Sequence, residues 1–104
     1  MKYTLDQAQT VLETPTARGR KLATEFDLEA VHLELSPGGA IPDHALDVPV
    51  AFYVVSGRGR LAVDGIESEA ECGSWLTVPP KARRRWNNHG SELLTLLVVK
   101  QLRS

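Results

Sequence analysis

Apolar and polar residues alternate with a period of two along much of the chain. The alternation restarts after each cluster of Gly, Pro, Asn or Asp. Over residues 28–35, Val31, Leu33 and Leu35 share one face while His32 and Glu34 share the other, as successive side chains of a strand do. Ser36-Pro37-Gly38-Gly39 ends that strand. Residues 50–55 form a β-branched and aromatic run stopped by Ser56-Gly57. Residues 60–63 and 66–70 flank Asp64-Gly65, a two-residue signal for a type I′ hairpin. A strand over 74–78 stops at Pro79-Pro80, another covers 83–88, and Asn88-His89-Gly90 turns into the last. That last strand, 93–99, is apolar at nearly every position, which predicts cover on both faces. One cover is the core. The other is the N-terminal segment or a partner subunit.

The first twenty residues follow a different pattern. Thr4 and Gln7 have capping-box spacing, and Leu5, Ala8, Val11 and Leu12 would form one stripe of a short helix over 4–12. A helix so short is marginal alone. An arm that pairs with a partner's sheet is the alternative. Residues 14–20, TPTARGR, read as a loop by their Pro and Gly. The expected organisation is an arm or short helix over 1–20 and one β domain over 21–104. Short strands, Gly/Pro punctuation and no long helix predict an all-β sandwich or barrel.

Composition narrows the functional classes. The 104 residues suit one domain. A formal net charge of -1 argues against binding nucleic acid through a basic field. Arg83-Arg84-Arg85-Trp86 places basic groups beside a stacking aromatic, yet on a strand the three arginines split between two faces. Cys72 is the only cysteine, so no intramolecular disulfide forms, which fits a reducing compartment. The N-terminus lacks the apolar core of a signal peptide, and no apolar run approaches about 20 residues. A soluble cytoplasmic protein is expected, with neither nucleic acid nor membrane as partner. No nucleophile elbow or phosphate loop is present. His44 is the side chain best suited to proton transfer near neutral pH.

The spacing of Gly, His, Pro and Asn resembles the cupin superfamily, a jelly-roll barrel. Gly38 and His44 fit its first motif with the five-residue gap, and Gly57 closes that motif. Leu46 stands where the second histidine belongs and Val50 where the glutamate belongs. In the second motif Gly73, Pro79 and Asn88 fit, while Lys81 replaces a glycine and Arg84 a histidine. The resemblance spans roughly 31–99 and implies a cupin-type double-stranded β-helix. Three of its four metal-ligand positions are changed. Leu46 and Val50 have no lone pairs to offer, and Arg84 places a fixed cation where a metal cation would sit.

The same alignment turns Arg84 into the barrel with His44, Leu46 and Val50. Trp86 shares the face of Arg84, and Phe52 the parity of Val50. A register slip of one residue would turn Arg83 and Arg85 inward instead. The expected site is a small apolar cup with one guanidinium, one imidazole and one indole. It suits a small molecule with an apolar body and a carboxylate. The leading expectation is a metal-independent binding or sensing domain with no identifiable reaction, assembled as a homodimer. Two alternatives stay open. One is a cupin enzyme, using iron, manganese, nickel or zinc at an unconventional site around His44, or metal-free acid/base chemistry by His44. The other is a structural module whose barrel is filled and whose Arg84 pairs with Asp43, Asp47 or a glutamate.

Overall fold

The computed structural model describes residues 1–103. Ten strands form two antiparallel sheets. The first sheet has six strands in the order β1 (Gln9–Glu13), β2 (Ala17–Glu25), β3 (Leu28–Leu35), β10 (Leu94–Gln101), β5 (Val50–Ser56) and β8 (Trp75–Val78). The second has four, in the order β4 (Ala40–His44), β9 (Arg84–Asn87), β6 (Arg58–Val63) and β7 (Ile66–Glu71). The sheets pack face to face as a jelly roll, and neither closes on itself. Among the described residues no helix is long and apolar enough to cross a membrane.

The period-two pattern sets the core. Val31, Leu33 and Leu35 of β3, Leu94, Leu96 and Val98 of β10, and Val50, Phe52 and Val54 of β5 all point inward and are buried. Leu61 and Trp86 meet them from the second sheet. β10 is a central strand, hydrogen-bonded to β3 and to β5, and the expected cover on both faces is absent among the described residues, where outward Leu97 and Val99 stay half-exposed. Its outward residues extend a row across the sheet, Arg20–His32–Leu97–Tyr53–Trp75. The N-terminal segment does not cover that row, because β1 lies at the far edge of the sheet.

The N-terminal helix over 4–12 does not form. A single 3-10 turn covers Leu5–Gln7, and Thr4 makes no side-chain capping bond. Gln9–Glu13 is instead a strand that pairs with β2 of the same chain. The supposed loop over 14–20 shrinks to a tight turn, where the Ala17 N–H donates to Thr14 Oγ1 at 2.9 Å. Backbone pairing along β2 outweighs a helix too short to hold itself together. Gly19 allows it: a Cβ there would stand 3.2 Å from Leu12 Cβ, so glycine lets β1 lie close over β2.

Turns fix the remaining registers. Asp64 (φ 49) and Gly65 (φ 84) both lie in the left-handed region, as a type I′ hairpin requires. Gly57 (φ +79) is confined further, since a Cβ there would collide with the Leu93 carbonyl oxygen. Lys81 also adopts a positive φ, 71°, at the position where the resembled motif has glycine. Its N–H donates to the Leu46 carbonyl at 2.6 Å. Left-handed backbone costs a side-chain-bearing residue about 1–2 kcal/mol, and glycine adds back about 0.5–1 kcal/mol of chain entropy. Lys81→Gly is therefore expected to raise the unfolding free energy by roughly 0.5–1 kcal/mol in urea denaturation. A clear loss of stability would mean that the lysine side chain makes stabilising contacts of its own.

Candidate functional site

Strand β9 sets the site through its parity. Arg84 and Trp86 point inward and are 4% and 1% exposed, while Arg83 and Arg85 are exposed. In the second sheet Arg84 lies between His44 of β4 and Val63 of β6, and Trp86 between Ile41 and Leu61. The Trp86 ring meets Phe52 edge to face, with centroids 5.4 Å apart and planes at 72°, a favoured aromatic geometry. Between the sheets lies a cavity of about 290 Å³. Its apolar wall includes Val31, Leu33, Phe52 and Val98 from the first sheet and Ile41 and Trp86 from the second, with Val11 and Leu12 of β1 on one side.

The polar lining is Arg84, His44, Lys21, Glu29 and Lys100. Glu29 pairs with Lys100 at 3.1 Å. None of the six ion pairs among the described residues includes Arg84 or Lys21. Asp43, an expected partner of Arg84, faces Arg85 at 3.7 Å. Among the described residues the buried Nε of Arg84 and the buried Nε1 of Trp86 have no hydrogen-bond partner. Both atoms are donors only, so each lacks an acceptor. Burial lowers the Arg84 pKa from its ordinary value, yet an arginine remains protonated at neutral pH.

His44 is exposed at the rim of the cavity. Its Nδ1 lies 3.4 Å from the Pro42 carbonyl oxygen. Its pKa is lowered, first by burial of part of the ring and next by the Arg84 charge, with Lys100 adding to the effect and the Pro42 contact opposing it. The imidazole is thus neutral at neutral pH, with one nitrogen free to accept.

Four of the six residues singled out in the sequence, His44, Phe52, Arg84 and Trp86, meet at this cavity. Leu46 and Val50 do not line it. Val50 is core, 2% exposed, and Leu46 packs against the core from the loop after β4. The sequence reading missed Lys21, Glu29 and Lys100. Two of them were within reach: Glu29 stands two residues before Val31 and Lys100 two after Val98, on the same inward faces. Lys21 was hidden by the irregularity between Lys21 and Ala23 in the β2–β3 pairing. Asn88, a motif residue, is a clamp. Its Nδ2 donates to the Leu35 and Glu92 carbonyls, each at 2.8 Å, and its Oδ1 accepts from the Gly90 N–H at 3.0 Å. A wider groove of about 650 Å³ runs outside the first sheet past Trp75, Pro79, Pro80 and Val99, with no titratable side chain in its lining.

These residues do not fit the metal that cupins commonly hold. His44 faces Arg84 across the β4–β9 pairing, and Leu46 and Val50 have no lone pairs to donate. Among the described residues no three His, Cys, Asp or Glu side chains converge as ligands.

The His44 shift gives a pH signature. The unfolded chain binds the His44 proton more readily than the folded one. Stability is therefore present above about pH 6.5 and is lost as pH falls through the lower folded pKa. By NMR titration the His44 ring is expected to protonate below its ordinary midpoint. Arg84→Met should move that midpoint part of the way back, since burial, the larger cause, remains. A His44 midpoint at or above the ordinary value in the native protein would contradict this electrostatic account.

No curated protein matches the chain. Solved structures do. A predicted oxalate decarboxylase from Thermotoga maritima superposes with a TM-score of 0.86 at 16% identity, over 99% of this chain and 100% of that one. An RmlC-like cupin from Shewanella frigidimarina gives 0.82 at 20% identity, over 94% of this chain and 86% of its own. The polyketide cyclase RemF from Streptomyces resistomycificus gives 0.82 at 19% identity, covering 99% and 80%. At these identities the likeness is one of fold, which does not carry a function with it. The family model described as Cupin domain matches residues 31–100, more than half of the chain. With both cupin motif frames in place at its turns and its strands in two facing sheets, this chain belongs to the cupin domain family.

Proposed function

We propose that this chain binds a small organic anion, a carboxylate with a short apolar body, in the cavity between its sheets and without a metal ion. One observation supports the reading above all: the Arg84 guanidinium is buried at an open cavity with no acceptor of its own. Burying an unpaired charge costs several kcal/mol even after relaxation. A carboxylate offers the bidentate acceptor that a guanidinium fits best. Phe52, Trp86, Val31 and Val98 supply apolar contact for the rest of the ligand. At about 30 Å³ per water-sized group, the cavity of about 290 Å³ accommodates on the order of ten non-hydrogen atoms.

Binding rather than turnover is the better supported role, because no nucleophile stands beside a base in the lining. A second reading is acid/base chemistry on the bound acid by His44. It is favoured by the neutral imidazole at the rim, directly across the strand pair from Arg84. Loss of turnover, but not of binding, in His44→Gln would establish that second reading.

The binding test is a thermal-shift and calorimetric screen of monocarboxylates with up to about ten non-hydrogen atoms. A binder present at a hundredfold excess over Kd should raise the unfolding free energy by about 2.7 kcal/mol. Arg84→Met should weaken it at least tenfold. Gly19→Val should also weaken it, because its added carbons enter the cavity beside Leu12 and Leu33. Failure of every acid to bind the native protein would overturn the proposal.

A further inference from the structure

We infer that the ligand is a dianion that spans the cavity, one carboxylate on Arg84 and the other on Lys21. The inference rests on the anion-binding reading above and names the ligand class more narrowly. The cavity lining holds three fixed cations, Lys21, Arg84 and Lys100, and one carboxylate, Glu29. Glu29 is engaged by Lys100 at 3.1 Å, which leaves Lys21 and Arg84 without an anionic partner among the described residues. With His44 neutral, the lining carries a net charge of three minus one, or two positive charges. One monocarboxylate would leave one of them uncompensated.

The two free cations also stand on opposite walls. Lys21 projects from β2 of the first sheet and Arg84 from β9 of the second. Facing sheets lie about 10 Å apart, so long side chains from each wall leave a gap that a short carbon chain bridges. The wall between them is apolar, formed by Val31, Phe52 and Val98. Polar ends and an apolar middle describe a linear dicarboxylate. A space for about ten non-hydrogen atoms limits it to about four to six carbons.

The experiment compares succinate, glutarate and adipate with butyrate, valerate and hexanoate by calorimetry at low ionic strength. The dicarboxylates are expected to bind at least tenfold more tightly than the acids of equal chain length. Lys21→Met should reduce dicarboxylate affinity to near the monocarboxylate level while weakening the monocarboxylates far less. Arg84→Met should weaken both. Lys21 is only half-buried, and an unchanged melting temperature without ligand confirms that Lys21→Met stays folded. Equal affinity for the two series, or a dicarboxylate preference that survives Lys21→Met, would overturn the dianion inference while leaving the anion site intact. Binding of neither series would overturn both.

Discussion

A positive charge held inside the barrel without an acceptor is the constraint on which the rest of this structure turns. Strand β9 brings Arg84 inward because its neighbours Arg83 and Arg85 take the outward parity. Once there, the guanidinium adds to the burial that lowers the pKa of His44 and leaves one end of the interior polar rather than packed. Hydrophobic side chains fill the opposite end, where Leu35, Leu94, Leu96 and Val54 are fully buried. A protein selected for stability alone would gain by replacing such a charge with an apolar side chain. Its retention at a cavity is the physical argument for a ligand.

The scaffold positions keep the family pattern while the site positions depart from it. The turn glycines remain because their backbone demands it: Gly38, Gly57 and Gly73 all have positive φ, and Asn88 ties three chain segments together. The ligand positions obey no such constraint and have changed to Leu46, Val50 and Arg84. Lys81 shows the boundary between the two. It has replaced a glycine while keeping the left-handed backbone, so the fold tolerates some strain there.

Much of this was legible in the sequence wherever one local rule acted alone. Alternation placed β3 and β5 nearly to the residue, Asp64-Gly65 specified its hairpin, and parity put Arg84 and Trp86 on one face, which the family resemblance turned inward. The failures came where a distant strand decided. Residues 9–13 look weakly helical, but an available edge on β2 makes them a strand. Leu46 and Val50 were grouped with the site by motif spacing, whereas the loop geometry and the core take them elsewhere. Lys21 is positioned by a register irregularity that no spacing in its own segment announces.

The most direct measurement is the unfolding free energy of Arg84→Met against the native protein in urea, both without ligand. If the guanidinium is kept for a ligand, the variant should be as stable as the native protein or more stable, by up to about 1–4 kcal/mol. A loss of more than about 2 kcal/mol would mean that Arg84 supports the fold itself, and would contradict the account.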